Sequence, residues 1–221
     1  MNIYLIRHGR QCDNRCNVNV SLSAEGREQA ELVGERLQSY DIDAVWSSNL
    51  IRAKETADII NKYINKPRYI DDRFREAEFG DLTGLSTEEM KAQYGQFLAR
   101  RAQMEADEPY PGGGENCQAI WHRVSDGLTD LVRTCQEQGY ENVVLVTHGG
   151  AMRALFTGLM GAPFAKWLVY GRVIENCSIS HLLYDEDMGT YHIERMNDYA
   201  HLEGKDHLLR KHFGAGFFSN K

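Results

Sequence analysis

The chain has 221 residues, enough for one domain with a modest elaboration. Its 25 basic and 32 acidic residues give a net charge of −7 with no basic block, which argues against nucleic acid as a main partner. No stretch approaches the roughly 20 apolar residues of a membrane span, and Arg7 and His8 interrupt the first apolar run too early for a secretory leader.

The run Ile3-Tyr4-Leu5-Ile6 is apolar and β-prone, and it ends abruptly in Arg7-His8-Gly9. Such a run reads as a short strand buried on both faces, as in a parallel sheet. Arg7 and His8 therefore emerge at the strand's carboxyl end, where ligands bind in open α/β sheets. A polar stretch from Arg10 to Ser21 follows, carrying Asn14, which by itself suits a turn. Ser23, with Glu25 behind it, starts a helix whose Ala30, Val33 and Leu37 fall on one face. Asp43 to Ser48 reads as a second strand and its exit, and residues 49–64 as a helix with Arg52 in the first turn. A helix N-terminus favours anions, and a guanidinium there would complete a clamp. Tyr69-Ile70-Asp71 begins a third strand, and a loop rich in carboxylates, including Glu76 and Glu78, comes next.

From Leu85 to Pro111 the chain becomes strongly charged, with a helix expected over Thr87 to Tyr94. This predicts a small cap, over about 81–116, above the sheet edge. Gly112-Gly113-Gly114 lacks the Lys-Ser/Thr ending of a phosphate-binding loop, and no strand precedes it. A long helix is expected from Cys117 to Gln138, ending at Gly139. The opening pattern then returns in Val143-Val144-Leu145-Val146-Thr147-His148-Gly149-Gly150, followed by a helix to Leu159. Strands over 178–184 and 191–196 make a hairpin. The polar tail, about 200–221, carries Phe213, Phe217 and Phe218 and suits docking on the body or on a second subunit, so a homodimer stays open. The five cysteines are scattered and odd in number, which fits free thiols in a reducing cytoplasm. Cys12 and Cys16 have no second Cys/His pair, so no metal site is expected.

Several of these segments together resemble the histidine phosphatase superfamily, which includes the cofactor-dependent phosphoglycerate mutases and many phosphatases. They are Arg7-His8-Gly9, the late His148-Gly149, and Leu22-Ser23-x-x-Gly26-x-x-Gln29-Ala30. Ser47-Ser48-x-x-x-Arg52-Ala53 and Glu76-x-x-Phe79-Gly80-x-x-x-Gly84 add to them. The resemblance implies a three-layer α/β/α sandwich with a mostly parallel central sheet and one antiparallel strand among the late elements. It implies that Arg7, Arg52, His148 with Gly149, and Asn14 bind phosphate, and that Glu76 donates a proton; Glu78 is out of register for that role. Arg100-Arg101 is similar to a paired arginine in the mutase cap that grips the substrate's distal acidic group, although it lies closer to Glu76 than in the mutases; read from its residues alone, the pair suits a solvated helix face. Asn176-x-Ser178-Ile179 matches the phosphatase branch, whereas the Pro-Thr-Gly-x-Pro segment usual in mutases is missing. Arg10 departs from the Glu that many members carry after Arg-His-Gly.

These residue types make a coherent chemistry. A phosphate monoester is a dianion, so a neutral imidazole at His8 attacks with less repulsion than an anion would. Arg7, Arg52 and a protonated His148 would stabilise charge on the transferring oxygens. Glu76 would protonate the leaving oxygen. The expectation is therefore a metal-independent phosphatase of small phosphorylated metabolites working through phospho-His8, with no cofactor. A mutase-type phosphoryl transfer is the first alternative, and an inactive phospho-ligand-binding protein the second.

Overall fold

The structure is a computed structural model, and it describes residues 1–171 and 173–210. Six strands, β1 (Asn2–Arg7), β2 (Ala44–Ser47), β3 (Arg68–Ile70), β4 (Asn142–Thr147), β5 (Ile179–Asp185) and β6 (Thr190–Asp198), form one sheet. Its order is β3-β2-β4-β1-β5-β6. β1, β2, β3 and β4 pair in parallel, and β5 runs antiparallel to both of its neighbours. The fold is thus the mixed α/β sandwich that the sequence predicts, with β5 as the one reversed strand.

Alternation along the central strands sorts their side chains onto two faces. Ile3, Leu5, Val143 and Leu145 join one core with α3 (Thr87–Gln103), α4 (Cys117–Gln138) and α5 (Gly149–Leu159). Ile6, Val45, Val144 and Val146 join another with α1 (Ala24–Leu37) and α2 (Ile51–Ile64). Helices cover both faces, so these strands read as unbroken apolar runs. Helix ends follow local chemistry. The Ser23 hydroxyl accepts from the Gly26 amide at the start of α1, and Gly139 takes a left-handed conformation after α4.

The segment expected as a cap leaves the body where Asp81 N donates to Pro111 O (2.9 Å) and rejoins it where Glu115 N donates to Glu78 O (2.8 Å). Its helix is longer than the sequence predicts: α3 runs through Gln103, with one non-helical residue at Tyr94. The expected stop coincides with that kink, where Gly95 interrupts the helical pattern. A capping box between Ser86 and Glu89 secures the near end, and Phe97 and Arg101 extend the buried face beyond the kink. Met90, Phe97 and Tyr110 belong to the larger core, so the segment is packed down rather than standing free.

Of the expected tail, residues 200–210 lie against α1. Leu202, Leu208 and Leu209 form a small cluster with Leu32 and Tyr199. Phe213, Phe217 and Phe218 lie outside the described residues. Among the described residues no helix is long and apolar enough to cross a membrane.

Candidate active site

β1 and β4 are neighbours in register, with Arg7 opposite Thr147, so both His-bearing ends arrive at one edge of the sheet. His8 N donates to Thr147 O (2.9 Å), and the two imidazoles stand with centroids 4.9 Å apart. Gly9 is required beside them, because a Cβ there would overlap the backbone of Gly26 in α1. A cavity of about 280 Å³ opens over this edge and is lined by Arg7, His8, Arg52 and Glu76 with residues of the 10–17 loop and the cap.

His8 is 4 % exposed, and its ring is oriented from both ends. Nδ1 lies 2.7 Å from Gly9 O, so this nitrogen carries the proton and donates it to the carbonyl. Nε2 then keeps its lone pair and accepts from Arg52 Nε at 3.2 Å. Asn176 Nδ2 donates to His8 O (2.7 Å), fixing the backbone as well. Burial above all, then the charges of Arg52 and Arg7, holds the imidazole well below its ordinary range, so His8 is neutral.

Arg52 is 1 % exposed on the first turn of α2, and burial draws its guanidinium below the ordinary arginine value. It donates to Val18 O (3.1 Å) and Asn17 Oδ1 (2.9 Å) besides His8. Asn17 Nδ2 in turn donates to Ala77 O (3.1 Å), tying Arg52 to the Glu76 loop. Arg7 bonds to Ile174 O while its Nε has no protein partner. Burial and the charge of Arg210 lower the guanidinium's pKa, although an arginine stays protonated in proteins.

Glu76 reaches into the cavity, whereas Glu78 turns outward to pair with Arg75 (3.0 Å). Glu76 Oε1 accepts from Ala77 N (2.9 Å) and Gly150 N (3.0 Å). The second of these is a free amide in the first turn of α5, so the carboxyl group of Glu76 sits at that helix end. A Cβ at 150 would overlap Oε1 and push the Glu76 carboxyl aside, so glycine keeps this contact in place. The loop itself is held by Arg123 of α4, whose five N–H donors are all used. They reach the carbonyls of Arg73 (2.7 Å), Arg75 (2.8 Å) and Glu76 (3.0 Å), and both oxygens of Glu115 (2.7 and 2.8 Å). Glu115 therefore braces this loop and does not line the cavity.

His148 is fully buried behind His8, with Nε2 2.8 Å from Ser48 Oγ and no protein partner at Nδ1. The sequence reading gives it a proton. In the structure burial first, then Arg52, pushes its pKa well below the ordinary value, so the protein's own groups leave it neutral. Gly149 opens α5 with its bare Cα facing the Arg7 guanidinium, outside the cavity lining. Asn14 lines the mouth from an exposed position.

The cap arginines go elsewhere. Arg100 pairs with Glu108 at the surface (3.3 Å). Arg101 is buried within the cap segment, its guanidinium 4.0 Å from the Tyr110 ring centroid and 4.8 Å from that of Trp167, and it donates to Glu108 O (2.6 Å). Neither lines the cavity; both are held at Glu108, and Arg101 also lies over the Tyr110 and Trp167 rings. Asn17, Arg123, Ser48 and Arg210 were missed by sequence reasoning. Asn17 sits three residues after Asn14 in the same polar stretch, but neither spacing nor hydropathy marks it. All five cysteines are free, and among the described residues no cluster of His, Cys, Asp and Glu is arranged to hold a metal ion.

The sequence profile of the histidine phosphatase superfamily (branch 1) matches residues 3–199. The chain is 33% identical over 221 residues to phosphoglycerate mutase-like protein 4 of Arabidopsis thaliana, covering 96% of this chain and 91% of that one. It is 30% identical over 209 residues to the uncharacterized phosphatase PhoE of Bacillus subtilis strain 168, covering 91% and 97%. The structure of a mycobacterial glucosyl-3-phosphoglycerate phosphatase with inorganic phosphate superposes with a TM-score of 0.79 at 29% identity, covering 90% of this chain and 98% of that one. The chain belongs to the histidine phosphatase superfamily, among both phosphatase and mutase-like relatives.

Proposed function

We propose that this member of the histidine phosphatase superfamily hydrolyses small phosphate monoesters through a phosphohistidine at His8, without a metal ion. The observation that carries the reading is the tautomer of His8. With Nδ1–H committed to Gly9 O, the lone pair stays on Nε2, where Arg52 Nε holds it until a phosphate oxygen takes over that donor. Nε2 attacks phosphorus, the N–P bond forms, and the bond to the leaving oxygen breaks as Glu76 gives that oxygen its proton. Glu76, now a carboxylate, takes a proton from water; the water oxygen bonds phosphorus and the N–P bond breaks. Inorganic phosphate and the alcohol are the products, and each group returns to its starting state.

Arg7 and Arg52 meet the equatorial oxygens, where charge-assisted hydrogen bonds from buried guanidiniums stabilise the developing charge. A dianion at this edge also opposes the effect of burial on His148, favouring its protonated form when ester is bound. Glu76 is held by Oε1 on two backbone amides, which leaves Oε2 to carry the transferable proton. The mutase-like relatives keep phosphoryl transfer to a second oxygen as the competing reading.

The test is phosphate release from a panel of monoesters with EDTA present, comparing wild type with His8→Ala. Release should survive the chelator and fall by more than about 10⁴-fold in the variant, the scale on which loss of a covalent nucleophile acts. Release that persists in His8→Ala sinks the proposal. An isomerised ester in place of free phosphate would assign the mutase reaction instead.

A further inference from the structure

We infer that Arg210 is a specificity-determining residue of this pocket, binding a second anionic group on the alcohol portion of the substrate, and that Arg10 positions it. The identity of the ligand as a phosphate ester rests on the phosphatase reading; the anion-binding role of Arg210 does not.

The seat of Arg210 is built from buried polar groups that the proposed chemistry does not use. Arg10, directly beyond the β1 edge, is 9 % exposed, and its guanidinium donates to His207 O (3.1 Å) and Leu208 O (2.8 Å). Gln29 of α1, fully buried, accepts from Arg10 N (2.9 Å) and donates to Leu208 O (2.7 Å). Arg210 N donates to Glu175 Oε2 (3.0 Å). Leu208 itself is buried against α1. A short segment nearly 200 positions downstream of Arg10 is thereby pinned to the cavity, and Arg210 joins His8, Arg7 and Arg52 in lining it.

Charge accounting points to a ligand with more than one anionic group. Arg7 and Arg52 already face the two negative charges of a monoester. Arg210 adds a further cation and bears on Arg7 more strongly than any other charged group does; Arg153 also faces it. Of the nearby carboxylates, Glu76 belongs to the proton transfer. Glu175 partly offsets Arg210, with its oxygens accepting from Asn176 N and Arg210 N, and Asp13 at the mouth is paired with Arg15. Gathering like charges costs the empty protein stability, and an anion held between them recovers it. A carboxylate or second phosphate, carried by the alcohol part of the ester, meets Arg210 while the first phosphate stays at His8.

The test uses two esters that differ by one charge, 2-phosphoglycolate and 2-hydroxyethyl phosphate. In the full chain, Arg210→Gln should raise KM for phosphoglycolate by about 10- to 100-fold, the range for losing a hydrogen bond to a charged group. KM for hydroxyethyl phosphate should move by less than about 3-fold, the scale of a distant, screened charge. Arg210→Lys should recover part of the loss. Arg10→Gln should reproduce the phosphoglycolate effect, and the double variant should be no worse than either single one, as a shared contact requires. Equal KM shifts for the two esters, or none for either, overturn the assignment. Titrating the same esters into His8→Ala, with and without Arg210→Gln, reads the contact without turnover. If wild type hydrolyses neither ester yet that titration still discriminates by charge through Arg210, the phosphatase reading fails and this one stands. No discrimination there overturns it.

Discussion

Arg52 and Arg10 are both buried arginines lining one cavity, yet they are held by different parts of the chain. Arg52 sits on the first turn of α2, next to the sheet edge that carries its partner His8, and the hydrogen bonds of its guanidinium stay within residues 8–18. Arg10 spends its guanidinium on carbonyls 207 and 208, brought back from the far end of the chain. The inner end of the cavity is therefore set by strand and helix termini, whose positions follow from the core. The mouth is set by loops that reach across the surface to one another. A rigid inner end suits a step common to all phosphate esters. A mouth made of separable pieces suits discrimination among them.

Three measurements bear on that contrast. The largest effect is expected at Glu76. Glu76→Gln should slow release of the alcohol in the first, single-turnover step by about 10² to 10⁴-fold for alkyl phosphates, while release of nitrophenol, a leaving group that needs no proton, should slow far less in that same step. An equal loss on both would show that Glu76 serves binding and not proton transfer.

The second tests burial at the inner end. His8 and His148 are held below the ordinary imidazole value. Above about pH 6.5 both folded and unfolded chains leave these groups neutral, so they contribute no pH dependence. As pH falls below that, the unfolded chain takes up protons that the native chain resists, and stability declines. The slope is about 1.4 kcal/mol per pH unit for each group until its native pKa is reached. Urea unfolding between pH 7 and pH 5 should therefore show a shallower acid loss in His148→Gln than in wild type. An unchanged slope would mean that His148 is not excluded from protonation.

The smallest effect is expected at the mouth. Asn14 is a neutral donor on an exposed loop, so Asn14→Ala should raise KM by roughly 2- to 10-fold, the worth of one ordinary hydrogen bond, and leave kcat alone. A loss approaching that of Glu76→Gln would erase the distinction between the two ends.

The same distinction explains what could be read from the amino-acid order. Ile3 to His8 and Val143 to His148 announce themselves because a strand buried on both faces writes an apolar run and stops sharply. The long α4 helix was legible down to Gly139 for a similar reason. Arg101 misled because a charged pair on a helix looks solvated or ligand-facing, whereas its stacking on Tyr110 and Trp167 depends on how distant segments fold together. Arg123 and Asn17 left no trace for the same cause: each acts by bonding backbone from another loop, and such partners have no sequence period. The extent of α3 was hidden by Gly95, which marks a kink there and not an end.

Gly150 carries no acid, base or charge, and an inventory of reactive side chains would pass over it. Its bare Cα nevertheless sets the aim of the carboxylate at Glu76, because the helix amide that grips Oε1 is its own. A descendant of this chain with alanine at 150 would retain every residue named in the proposed reaction and still have the Glu76 carboxyl displaced. In the proposed reaction, the absence of one methyl group at 150 thus matters to the placement of Glu76, as the identity of Glu76 itself matters to the proton transfer.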